Sequence, residues 1–294
     1  MTEPNPSLVA EVIVDAHAEV GEGPTWDADS QRLCWVDIPH GDIHAFHPAS
    51  GSDDVVDVGQ PVGAVVRRRQ GGLVLAVRDG FATLDEGRLS LLAEVEIERV
   101  ENRMNDGKVD PAGRFWAGTM ALDSSPGAGA LYRLAQDHRV DTVLDGLTIS
   151  NGMDWSPDGQ TMYFIDSGQG CVTAYLYDQD SGEINEPRTL IAIPPEDGLP
   201  DGMTVDSAGG LWVAIWDGAA VRHYSPDGTF LDEVRVPATQ VTSCAFGGAD
   251  LRDLYITTAA EGLSPAQRRE QPHAGALFRV QPGVVGREPY LCSS

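Results

Sequence analysis

Six times along this chain a turn rich in Gly or Asp runs straight into a short apolar strand. The copies are Asp29-Ser-Gln-Arg-Leu-Cys-Trp-Val-Asp37, Gln70-Gly-Gly-Leu-Val-Leu-Ala76, Asp110-Pro-Ala-Gly-Arg-Phe-Trp-Ala-Gly118, Ser156-Pro-Asp-Gly-Gln-Thr-Met-Tyr-Phe-Ile-Asp166, Asp206-Ser-Ala-Gly-Gly-Leu-Trp-Val213 and Ala249-Asp-Leu-Arg-Asp-Leu-Tyr-Ile256. They recur at roughly 40–50 residues, the period of propeller blades or of a solenoid. Between them residues 43–46, 83–84, 130–134, 172–177, 221–224 and 276–280 read as a third strand. Residues 54–58, 88–93, 140–144, 188–193 and 230–236 read as a fourth. Four short strands per repeat over six repeats predict an all-β chain, a six-bladed β-propeller occupying residues 1–294 as a single domain.

The sixth repeat lacks a fourth strand after Val280, while residues 8–14 have no blade of their own. Joining the two would close the ring with strands from both ends of the chain and remove two exposed edges. Helix is scarce. Its best candidate is Ser264-Pro-Ala-Gln-Arg-Arg-Glu270, with Ser at the N-cap and Pro in the first turn.

The 33 glycines and 19 prolines suit such a turn-rich fold. A net charge of −25 repels phosphate backbones and anionic membranes, so nucleic acid and membrane are not expected partners. No apolar run reaches the roughly 18 residues of a membrane span. Met1-Thr-Glu-Pro-Asn-Pro lacks the basic and apolar regions of a signal peptide. Cys34, Cys171, Cys244 and Cys292 are scattered without a C-x-x-C pair, which suits a reducing, cytoplasmic setting. A monomer or weak homo-oligomer is expected.

The segment before each turn should be the innermost strand of its blade. Laid over one another, five of these segments share a glycine, with Cys244 in its place in the sixth, and the residue before that position is Glu22, Val62, Asp106, Asn151, Asp201 and Ser243 in turn. Equivalent positions in a propeller converge on the central channel. A lone Asp-Gly or Asn-Gly is a turn dipeptide. The same register in four blades instead aims carboxylates and an amide at one small volume. Such a set repels itself unless a cation joins it, and all-oxygen donors suit Ca²⁺, Mg²⁺ or Mn²⁺.

Gly21-Glu-Gly-Pro24, Asn102-Arg-Met-Asn-Asp-Gly-Lys-Val-Asp-Pro-Ala-Gly-Arg114, Ala117-Gly-Thr-Met120, Ile149-Ser-Asn-Gly-Met-Asp-Trp155, Pro200-Asp-Gly-Met203 and Cys244-Ala-Phe-Gly-Gly248 resemble the gluconolactonase/regucalcin (senescence marker protein) family nearly end to end. The resemblance implies a six-bladed propeller that binds one divalent cation and hydrolyses a sugar lactone to its aldonic acid. It places the cation ligands on Glu22, Asn151 and Asp201, and makes Asp201 the general base. It places substrate contacts on Arg103, Asn105 and Asp123, and leaves Asp106 outside the ligand set. Whether the cation is Ca²⁺, Zn²⁺, Mn²⁺ or Mg²⁺ stays open. So do hydrolysis of other esters or organophosphates on the same site, and a non-catalytic cation-binding propeller.

Other constellations compete poorly. His40, His44 and His47 have zinc-like spacing but straddle a hairpin, and read as surface residues. No G-x-S-x-G elbow is present. The six tryptophans read as blade packing, with Trp216 alone placed at a strand end where it could reach a pocket.

Overall fold

The computed structural model describes residues 8–294; the Met1–Pro6 stretch lies outside them. The described residues form six antiparallel sheets of four strands each, consecutive in sequence in the first five, with one extra strand on the fifth. The innermost strands are Gly21–Asp27, Val62–Arg67, Asn102–Val109, Ser150–Trp155, Leu199–Val205 and Val241–Gly247. The helix Pro265–Glu270 forms with a complete capping box between Ser264 and Gln267.

In two blades the turn-plus-strand repeat has the same physical cause. In the third blade the Asp110 carboxylate accepts the backbone N–H of Ala112 and of Arg114, each at 2.9 Å, and the indole N–H of Trp116 at 2.8 Å. Asp206 does the same in the fifth blade with Ala208, Gly210 and Trp212, at 2.9, 2.9 and 3.0 Å. One carboxylate thus closes the turn and ties it to a tryptophan buried between blades. Apolar packing follows from this: the core is six separate clusters, one at each junction between neighbouring blades.

The ring closes as expected and adds a second tie. Glu11–Val14 pairs antiparallel with Leu277–Val280 and completes the sixth blade. Leu8–Val9 then continues onto the fifth blade, running parallel to Phe230–Arg235. Seven residues therefore staple two blades together. At the other end, residues 281–294 cross the ring as an irregular tail. The Ser207 N–H donates to Val285 O, Cys292 accepts the Arg69 N–H and donates its own N–H to Arg67 O in the second blade, and the Ser293 N–H reaches Gly113 O. All four cysteines are buried and unpaired.

The expected surface histidines divide. His40 is exposed and His47 half-buried, but His44 is buried, its ring stacked 3.8 Å from Trp35 and its Nδ1 2.6 Å from Asp53. His223 repeats the arrangement on Trp212 in the fifth blade, at 4.0 Å. The aromatic partner on the neighbouring strand explains the departure: it covers a ring that the local sequence alone would leave in solvent.

Candidate active site

Every innermost strand carries a break in register, in the first five blades at the shared glycine: between Glu22 and Thr25, Val62 and Ala64, Met104 and Gly107, Ser150 and Met153, and Pro200 and Met203, and in the sixth, which has Cys244 in place of the glycine, between Val241 and Ser243. A bulge re-aims the side chain beside it, and here it turns the preceding residue into the channel. Close approach explains the glycine. A Cβ on Gly152 would lie 2.5 Å from the Asp201 carbonyl oxygen, and one on Gly202 would collide with Ser243.

At the end of the channel where these strands begin lies a cavity of about 330 Å³. That is the size of a small-molecule site, which typically spans about 300–1,000 Å³. Glu22, Arg103, Asn105, Asn151 and Asp201 line it, with Ser124, Ser167 and Glu261 as further polar residues. Trp216, Met120, Ile149, Leu199 and Val20 form an apolar wall. Thus five of the six residues singled out in the sequence share one cavity.

Asp123 does not join them. It sits on an exposed turn, and its carboxylate accepts the Ser125 N–H at 3.0 Å; Ser124, one residue on, faces the cavity instead. The acidic group at the mouth is Glu261, which follows the second strand of the sixth blade and which no repeat register marked. Asp106 is buried, bonded to its own neighbour Gly107 at 2.7 Å, and opens onto a second, smaller cavity of about 60 Å³ at the far end of the channel. Lys108, Asp154 and the tail residues Arg287 and Tyr290 also line that far cavity.

The electrostatics of the near cavity are unbalanced. Burial, then the adjacent Asp201 and Asp106 carboxylates, pushes the Glu22 carboxyl well above the usual range. Burial and Asp106 push Asp201 up likewise. Arg103 is the one cation among the lining residues. Burial pulls its guanidinium down, while Glu261, Glu22 and Asp201 favour its charge. It donates to the Asn105 amide oxygen at 2.6 Å and to the Met104 carbonyl at 3.0 Å, and Asn105 in turn donates to Ser150 O at 2.8 Å.

Two oxygens here have no donor at all: Asp201 Oδ1 and Asn151 Oδ1 are both buried and unpartnered. Buried polar atoms normally find a partner, and an orphan calls for a reason such as an ion. Two carboxylates plus an amide oxygen form a hard donor set suited to a divalent cation. Among the described residues no three His, Cys, Asp or Glu side chains gather as a metal site, so such a cation would need the Asn151 amide as its third protein donor.

The family model described as SMP-30/Gluconolactonase/LRE-like region matches residues 20–260. The "Putative sugar lactone lactonase YvrE" of Bacillus subtilis is 38% identical over 278 residues, covering 94% of this chain and 95% of that protein. Regucalcin of Danio rerio is 40% identical over 289 residues, covering 97% and 98%. The crystal structure of regucalcin from Agrobacterium tumefaciens, described as a calcium-binding protein, superposes with a TM-score of 0.93 at 31% identity, covering 98% and 99%. With the family model spanning most of its length and relatives aligned nearly end to end, the chain belongs to the SMP-30/gluconolactonase family.

Proposed function

We propose that the chain is a divalent-cation-dependent lactonase that opens a sugar lactone to its aldonic acid. The observation that carries this reading is the pair of orphaned oxygens on Asp201 and Asn151, beside Glu22, in a cavity that also presents Arg103. Glu22, Asn151 and Asp201 would hold the cation. When bound, it would polarise the lactone carbonyl and favour charge developing on its oxygen.

The chain's own groups account for the rest. The Asp201 carboxylate can take a proton from the attacking water, a role typically worth about 10²–10⁴-fold. The new C–O bond forms as the ring ester bond breaks, and that proton leaves on the released hydroxyl. Arg103 keeps N–H groups beyond those given to Asn105 and Met104, and these can donate to lactone or hydroxyl oxygens. Asn105 is held at both ends of its amide, so the one N–H left over has a fixed direction. Glu261 supplies an acceptor at the mouth for a sugar hydroxyl, the role that the family resemblance gives to Asp123. The apolar wall with Trp216 excludes water from the opposite side.

Acid release from gluconolactone, arabinonolactone and xylonolactone tests the reading, each with Ca²⁺, Zn²⁺, Mn²⁺ or Mg²⁺ and with chelator. A rate above the spontaneous one that chelator removes is the expected result. Spontaneous rates throughout would point to a non-catalytic cation-binding propeller.

A further inference from the structure

Ser167 opens a one-turn 3₁₀ segment, Ser167–Gln169, immediately after the second strand of the fourth blade. Its place is fixed from both sides. The Ser167 N–H donates to Ile149 O at 3.0 Å, and the adjacent Asp166 carboxylate accepts the Thr148 and Ile149 N–H groups at 3.1 and 2.9 Å. The side chain is buried and lines the cavity of the candidate site.

The Ser167 hydroxyl lies 2.7 Å from the Pro200 carbonyl oxygen and 3.0 Å from Asn151 Nδ2. A hydroxyl has one proton. A carbonyl oxygen can only accept, so that proton goes to Pro200. The Ser167 oxygen can then only accept from Asn151, which forces the amide to present its NH₂ group to the serine. The Asn151 oxygen is left facing away from Ser167 with no donor. Pro200 directly precedes Asp201. One hydroxyl therefore sets the orientation of a donor from the fourth blade and ties it to the strand that carries a donor from the fifth.

We propose that Ser167 is the positioning residue of the cation site, holding the Asn151 amide oxygen toward the cation and linking it to the Asp201 strand. The proposal rests on the reading of Glu22, Asn151 and Asp201 as cation ligands. Without the serine the amide can rotate and present N–H groups, which repel a cation.

The experiment is calorimetric titration of the folded protein with CaCl₂ and, separately, MnCl₂, with no substrate. Ser167→Ala should bind about 10–100-fold more weakly than the wild type, the usual effect of losing a residue that orients a metal ligand. The decisive arm is an Asn151→Asp background. A carboxylate offers oxygen on either face, so Ser167→Ala should there cost less than about 3-fold if orientation is its role. An equal loss in both backgrounds would show that Ser167 only supports the backbone, and would overturn the proposal. Unchanged affinity of Ser167→Ala would do the same. If Ser167→Ala fails to fold, Ser167→Cys, close in size and a weak acceptor, replaces it with the same expectation in both backgrounds. Absence of Ca²⁺ and Mn²⁺ binding by the wild type would remove the ligand reading, and this proposal with it. Loss of lactone turnover with binding intact would instead touch only the proposed reaction.

Discussion

Replacing Asp201 by Asn should make the cation-free protein more stable while removing its activity. In the native chain Asp201 Oδ1 and Asn151 Oδ1 are both buried without a donor. An unsatisfied buried group costs about 1–3 kcal/mol, and more if charged. An Asn at 201 brings an N–H donor next to these acceptors and removes one of three neighbouring buried carboxylates. We expect a gain of about 1–3 kcal/mol in chelator, or about 2–6 °C in melting temperature at ~2 °C per kcal/mol for a domain of this size. The native protein should overtake the variant once cation is present. At a concentration 100-fold above Kd, binding adds about 2.7 kcal/mol, worth about 5 °C at the same conversion. Thermal melts of both proteins in EDTA and in millimolar Ca²⁺ or Mn²⁺, with lactone hydrolysis followed alongside, read both effects. A variant that melts below the native protein in EDTA, yet is stabilised as much by cation, would refute the account of the orphaned oxygens. Activity is then held at the expense of apo stability, a common trade at functional sites.

Two further outcomes follow from the packing. Arg287→Ala removes a guanidinium that donates to Asp154 at 3.1 Å and to Trp155 O at 2.7 Å. Lys108 and the Val205 N–H still hold Asp154, so the loss should be about 2–3 kcal/mol at pH 7 by urea unfolding. Burial pushes the Asp154 carboxyl up, but Lys108 and Arg287 bring it below its ordinary value on balance. A depressed carboxylate stabilises the fold above its unfolded value, near 3.9, and loses this as pH falls through the folded one. The gap between native and variant should therefore be full at pH 7 and narrow below about pH 4; a gap independent of pH would refute the ion-pair assignment. Asp206→Ala strips the fifth-blade turn of its acceptor and leaves the buried Trp212 N–H unpaired, for about 2–4 kcal/mol by the same assay. A loss under about 0.5 kcal/mol, no more than an ordinary surface substitution, would count against that carboxylate as the cause of the repeat.

What the sequence discloses is whatever repeats. Asp110 and Asp206 recur because one carboxylate closes a turn and binds a tryptophan, so the turn-plus-strand pattern stands out. Glu22, Asn151 and Asp201 line up because the same bulge turns each into the channel. Residues outside the register leave no such mark. Ser167 matters through a carbonyl 33 positions away. Glu261 sits in a loop with no counterpart in other blades. In the loop holding Asp123 and Ser124 a difference of one position decides which side chain reaches the cavity, and local sequence does not fix loop facing. Arg287 lies on an irregular tail with no periodicity, yet it bonds Asp154 across 133 positions.

The closure by Glu11–Val14 against Leu277–Val280 also bears on how the protein comes to be folded. Its register pairs Glu11 with Arg279, an association reinforced by an ion pair 268 positions apart in sequence. Contacts of such separation slow folding, because the loop between them must be ordered first. During synthesis the amino-terminal strand emerges early and has no antiparallel partner until residues 277–280 leave the ribosome. The ring stays open, with an unpaired edge on each side of the gap, for almost the whole of translation. A mutation that weakens this last seam should show itself less in the finished molecule than in the yield of chains that reach it.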